Sequence, residues 1–352
     1  MKDHSTMSTL QRLAFFLLLS TSANGFSTSS RSSIRLPTPL AASTVMDESP
    51  PASVNEAVAE TVAKSWDDDG FVFGLEGSGL ERPKGKVAQI VVEGDYLEST
   101  NTQRAVVWST LVGHAGICVF SAMGMLEANQ QALGSFAGSD ELAAGLTAAQ
   151  ATLLVVSSWM TADLGSGVLH WSVDNYGNGK TPIMGGLIAA FQGHHSAPWT
   201  ICEREFENNV YKLCIPFGIQ TVLAMKFALG LGHASVLFWS VFCTMEIMSQ
   251  EMHKMSHTTK KEAGPIWNAL QDAQLSIDRK SHAQHHIAPY DGNYCIVNGR
   301  CNKFLDESGF FRRLEHIVYK INGVESNAWK LDAKLRERTL QGDYSLPKKA
   351  AQ

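Results

Sequence analysis

About four apolar runs, near residues 105–126, 144–162, 213–231 and 234–250, alternate with charged and glycine-rich connections and limit what this chain can fold into. A helix of ~20 apolar residues rises ~1.5 Å per residue and crosses ~30 Å of hydrocarbon. There the backbone must satisfy its own hydrogen bonds, which helices do within one segment. The chain is therefore expected to be all-α, an integral membrane helical bundle of about four transmembrane helices in two hairpins. Only Gly232 and His233 join the last two runs, and the first two pair across an acidic turn. Pro182–Phe191 is apolar but too short to span, and reads as a re-entrant or interfacial helix.

The ends differ in character. Residues 1–43 open with Lys2, Arg12 and a short apolar core, Leu13–Leu19, and carry no Glu and only Asp3 as an acidic residue before Asp47. A secretory signal followed by a Ser-, Thr- and Arg-rich transit segment resembles the bipartite presequences of algae whose plastids have extra membranes; a plain secretory signal with a linker is the alternative. Residues 44–104 are polar and are expected to be a disordered linker. Residues 311–352 are expected to be an amphipathic helical tail, with Leu305–Lys334 as a surface helix pair. A net charge of −5, without a basic patch interleaved with aromatics, argues against nucleic acid as a partner. The six cysteines form no CxxC pair.

Histidine carries the chemistry. Eight of the twelve histidines fall in four fragments: HWSVD from His170, FQGHHSAPW with His194 and His195, HKMSH from His253 to His257, and SHAQHH with His282, His285 and His286. Helical positions i, i+3 and i+4 share a face, so the last fragment is able to grip a metal with two or three nitrogens. Asp163, Gly167, His170 and Asp174 form one helical stripe, and Glu246, Gln250, His253 and His257 form another. Two hairpins bring all these fragments to one side of the membrane, together with Arg204, Lys212, Arg279 and Lys280. Basic loops mark the unexported face, here the stromal one. His114, alone on an apolar run, is expected to be a hydrogen-bonded core residue.

Eight imidazoles and Asp174 exceed what one ion uses, so two metals are implied. Ligand type leaves Zn, Cu, Fe and Ni open. HKMSH has the spacing of a zinc peptidase helix, but Lys254 stands where that motif needs its glutamate. Asp163 and Glu246 are candidates to accept the second N–H of a liganding imidazole, or else are carboxylates that snorkel to the membrane face. Arg204, Lys212, Arg279 and Lys280 are head-group candidates, or simply orient the chain on an anionic leaflet. Haem binding would need histidine pairs deep in the spans, and metal transport would need ligands near the midplane. These ligands cluster at one mouth.

DLGSGVLHWSVDNYG, FQGHHSAPWTI, SQEMHKMSHT and SHAQHHIAPYDGNYCIVNG occur in that order within Ala105–Phe310. Together they resemble the Kua family of lipid desaturases, which includes plasmanylethanolamine desaturase and the plastid fatty acid desaturase 4-like enzymes. The resemblance implies a di-iron centre held by His170, His194, His195, His253, His257, His282, His285 and His286, with Asp174 in the same motif. It also implies O2 as co-substrate and a glycerolipid as substrate, with ferredoxin as the electron donor that suits a plastid. The implied product is a delta-3 trans double bond in palmitate on phosphatidylglycerol; an ether-lipid desaturase or an acyl hydroxylase is the runner-up. Arg300 departs from the family pattern, which more often has an aromatic residue there.

Overall fold

The computed structural model describes residues 96–346, with the exception of Phe136. The presequence and most of the linker expected from the sequence lie outside these residues. Among the described residues every regular element is helical.

Helix α1, Asn101–Leu133, starts before its apolar run because Thr100 and Gln103 cap each other. The Thr100 hydroxyl accepts the Gln103 N–H, and the Gln103 side chain accepts the Thr100 N–H. The chain reverses through Gly134 and Gly138, both at positive φ, into α2, Ser139–Asn175. At ~1.5 Å per residue both helices are longer than the ~30 Å apolar layer. In α2, Leu153, Val155 and Val156 are exposed, whereas buried residues crowd its last turns from Ala162 to Asn175. One helix thus presents an exposed apolar surface suited to lipid at one end and serves as core at the other.

The third apolar run departs from expectation, because it is interrupted. Short helix α4, Phe206–Val210, leads through the 3-10 turn Tyr211–Cys214 to a break before α5, Ile219–Leu229. Pro216 lacks an N–H and cannot continue a helix. The carbonyls freed by the break are satisfied internally, as an apolar setting demands. Gln220 Nε2 donates to the Cys214 and Ile215 carbonyls, Thr221 Oγ1 donates to that of Pro216, and His114 Nε2 donates to that of Phe217. His114 is fully buried, with Nδ1 2.9 Å from Ser240 Oγ, so it is a core residue with a definite task.

Helix α6, His233–His257, packs along α1 and α2. By length and composition, three described segments are able to cross a membrane: α1, α2 and the interrupted Phe206–Leu229. The fourth expected run is α6, 25 residues long, whose second half carries Glu246, Gln250, Glu251, His253, Lys254 and His257. Those polar residues lower its apolarity, and they are the ones that build the site.

The remaining elements close over the ends of α2 and α6. Helix α3, Gly185–His194, is ten residues long and is followed by the 3-10 turn Pro198–Glu203. Helices α7, Lys260–Asp272, and α8, Arg279–His285, come next; Asp278 caps α8 by accepting the Ser281 N–H. Helices α9, Arg300–Glu307, α10, Phe310–Asn322, α11, Asn327–Leu331, and α12, Ala333–Leu340, complete the fold. The tail is not wholly a surface feature, since Phe311, Arg312, Glu315 and Trp329 are buried. Asn327 Nδ2 donates to the Asp174 carbonyl and the Ala328 N–H donates to Asn175 Oδ1, tying the tail to the end of α2.

Candidate metal centre

The nine residues singled out by sequence meet in two adjoining groups. His194, His253, His257, His282 and His286 form one, and His170, Asp174, His195 and His285 form the other. Within each group the donor atoms all lie within 4.8 Å of one another. Helix α6 supplies His253 and His257 to the first group, and α2 supplies His170 and Asp174 to the second. The adjacent pair His194 and His195 at the end of α3 is divided between them.

The triplet at α8 is divided too, against the expectation that three imidazoles share one face. His282 and His286 serve the first group and His285 the second. At ~3.6 residues per turn, i+3 and i+4 fall on either side of residue i and diverge from each other by ~100°. One short helix therefore feeds two sites.

In the five-histidine group the Nε2 atoms converge. His257 Nε2 lies 3.0 Å from that of His194, 3.3 Å from that of His253 and 2.8 Å from that of His282. His286 Nε2 is 3.0 Å from His282 Nε2. A ring nitrogen has a single in-plane site, for a proton or for a lone pair, so three nitrogen neighbours around one Nε2 are not three hydrogen bonds. Metal–nitrogen bonds of ~2.0–2.1 Å place neighbouring ligand atoms ~2.9–3.4 Å apart, and the residues fit that arrangement. Burial first, and then the neighbouring imidazoles, push His194, His282 and His286 well below the usual imidazole pKa. They are neutral at pH 7, the form in which imidazole binds a metal.

The second group is organised around a carboxylate. Asp174 Oδ2 is 3.2 Å from His170 Nε2, 3.2 Å from His195 Nε2 and 3.4 Å from His285 Nε2. His170 Nε2, His285 Nε2 and both Asp174 oxygens are buried with no hydrogen-bond partner among the described residues. Buried polar atoms are normally satisfied, and an ion among them would satisfy these together. From behind, His170 Nδ1 donates to the Tyr294 carbonyl at 3.0 Å and His285 Nδ1 to the Gly292 carbonyl at 2.9 Å. These bonds turn each Nε2 toward the group. No side-chain pattern announces a backbone carbonyl, so sequence reasoning missed both.

The two carboxylates expected to support imidazoles are placed otherwise. Asp163 Oδ1 accepts the N–H groups of Asn298 and Gly299 at 2.8 Å, and Oδ2 accepts that of Cys301 at 2.9 Å. It caps α9 and anchors the preceding loop, with no bond to an imidazole. The loop lies close on α2: a Cβ at Gly167 would come within 2.4 Å of Cys295 Sγ, which explains glycine in that stripe. Glu246 is buried, and its Oε1 has no hydrogen-bond partner among the described residues. Asp163→Ala should cost about 3–5 kcal/mol, because three N–H groups, one buried and two partly buried, lose a charged acceptor. Thermal unfolding of the purified protein checks this, and an unchanged midpoint would refute the anchoring role.

A pocket adjoins the five-histidine group. Leu187, Ala190, Phe191, Ile201 and Leu213 give it apolar walls, His194 and His253 line it, and Arg204, Asn208, Asn209 and Lys212 add polar groups. Of the four head-group candidates, Arg204 and Lys212 line this pocket. Arg279 instead donates to the Thr258 carbonyl and Asn268 Oδ1, bracing the α7–α8 corner, and Lys280 is exposed.

A bundle of membrane-length helices that ends in two histidine-rich groups able to hold metal, one of them beside a largely apolar pocket, defines the class of protein. The profile of the lipid desaturase domain family matches residues 159–329, a span that includes all nine donors and reaches into the tail. Fatty acid desaturase 4-like 1, chloroplastic, of Arabidopsis thaliana is 43% identical over 182 residues, covering 51% of this chain and 60% of the relative. Fatty acid desaturase 4, chloroplastic, of the same plant is 43% identical over 176 residues, covering 49% of this chain and 53% of the relative. Plasmanylethanolamine desaturase 1 of Mus musculus is 32% identical over 183 residues, covering 49% of this chain and 67% of the relative. The chain belongs to the lipid desaturase family. No solved structure matches it.

Proposed function

We propose that this protein is a membrane lipid desaturase of the plastid that introduces a double bond into a glycerolipid acyl chain. The observation that carries the reading is the pocket that joins an apolar slot to His194 and His253. Cationic Arg204 and Lys212 on the same pocket suit an anionic head group. Such a slot holds a chain with its methylenes beside the metal-ligating histidines while the head group stays at the polar side. The nine donors are the metal-binding residues of this proposal. A pair of iron ions, when bound, would supply the O2-dependent chemistry by which two hydrogens leave adjacent methylenes and, with two electrons and two protons, O2 becomes two waters. The eight imidazoles and Asp174 would hold the ions, the carbonyls of Gly292 and Tyr294 orient two of those imidazoles, and the apolar walls exclude water.

The greater identity to the plant fatty acid desaturases favours a fatty acyl chain in a plastid. The family resemblance of the histidine motifs points to palmitate on phosphatidylglycerol, and a ferredoxin at the stromal face is the donor that suits that compartment. The likeness to the mouse protein supports an ether lipid as the second reading. Expression in a host that lacks both activities, followed by lipid profiling, tests them. A new double bond in the acyl chains of phosphatidylglycerol is the expected result. A vinyl ether would favour the second reading, and an unchanged profile in cells whose membranes contain the iron-loaded protein would refute both.

A further inference from the structure

The two groups of donors are supported in unlike ways. In the second group, His170 and His285 are locked from behind by the carbonyls of Tyr294 and Gly292. In the five-histidine group, Nδ1 of His253, His282 and His286 is buried with no hydrogen-bond partner among the described residues. Both locking carbonyls belong to one loop, so whatever holds that loop sets the aim of two imidazoles.

Asp306 Oδ2 accepts the Asn293 N–H at 3.0 Å and Asn302 brackets Cys295, and a further share of the task falls to a residue far along the chain from the histidine motifs. Arg312, on α10, is 1% exposed. Its Nη1 donates to the Asp291 carbonyl at 2.6 Å, and its Nη2 donates to Glu315 Oε1. Glu315 Oε1 also accepts the Trp171 Nε1–H, at 3.2 Å, from the residue that follows His170 on α2. One planar guanidinium thus ties the start of the loop to the helix that carries His170. A rigid fork of donors suits this better than a flexible ammonium.

We propose that Arg312 is a positioning residue that holds the Asp291–Tyr294 backbone in place, aims His170 and His285, and makes their group the tighter of two unequal metal sites. The five-histidine group, which borders the pocket, is then the weaker and more exchangeable one. This inference rests on the two-metal reading above.

The test uses the full-length protein in detergent, stripped with a chelator and titrated anaerobically with Fe(II) alone, with bound iron counted at each step. The native protein should bind in two steps whose affinities differ by about tenfold or more, His285→Ala removing the tighter and His257→Ala the weaker. Arg312→Gln should weaken the tighter step by about 10–100-fold, the usual effect of losing an outer support of a metal ligand, and leave the other step unchanged. Arg312→Lys should recover part of the loss. Added to His285→Ala, Arg312→Gln should change iron binding no further. If Arg312→Gln fails to insert, Arg312→Met combined with Glu315→Gln and Asp291→Asn removes the cation together with the charge of both buried carboxylates that face it, and is read the same way. Equal weakening of both steps, or an unchanged tighter step, overturns the role of Arg312. A single step that takes up two ions overturns the inequality of the sites, whereas uptake of one ion or none by the native protein overturns the two-metal reading instead.

Discussion

Replacing His257 with alanine should reduce desaturated product by more than about 100-fold and remove about one metal ion per chain, with the protein still inserted. The expectation follows from its place among the five imidazoles, where its Nε2 has three ring nitrogens within 3.3 Å. Among the described residues, no other donor of that group has three ring nitrogens so near. The stability response separates a ligand from a structural residue. Without metal, converging neutral nitrogens gain little from one another, so the chelated His257→Ala protein should unfold no earlier than chelated native protein. With metal, only the native protein should gain the full stabilisation that a bound ligand confers. A variant that keeps its iron and its activity would remove His257 from the centre.

Asp174→Asn should produce the second large effect, with opposite signs in the two states. Asp174 is the single carboxylate among the nine donors, and three imidazole nitrogens lie 3.2–3.4 Å from its Oδ2. Asparagine keeps the shape and one carbonyl oxygen but removes the charge that offsets a buried cation. By the cost of breaking a buried charge pair, metal binding at that group should weaken by about 3–5 kcal/mol, or roughly 10²–10⁴-fold. The metal-free protein should instead be as stable as native or more so, because it no longer buries a carboxylate without a cation. Thermal unfolding with and without chelator reads both signs. A variant less stable than native in the chelated state would mean that Asp174 serves the fold rather than a metal.

Much of this was legible in the sequence for a simple reason. The apolar runs predict helices because a backbone in hydrocarbon has few other ways to satisfy itself, and the regular spacing of His170 with Asp174 and of His253 with His257 places each pair on one helical face. Spacing alone left other features open. It did not show that Pro216 breaks the third run, because mean apolarity does not register a missing N–H. Nor did it show that Asp163 serves a loop rather than an imidazole, since a carboxylate one turn from a histidine looks the same in either role.

By itself, the sequence determined that the chain is helical, that much of it suits a membrane, and which nine residues to look for as candidate metal donors, because helix period and side-chain type are local properties. Only the tertiary structure decided how those residues divide into two groups, that the loop from Asp291 to Gly299 supports one of them, and that the buried Arg312 ties this loop to α2. Those outcomes depend on where backbone carbonyls and distant helices meet, and a carbonyl carries no signature in the residue to which it belongs.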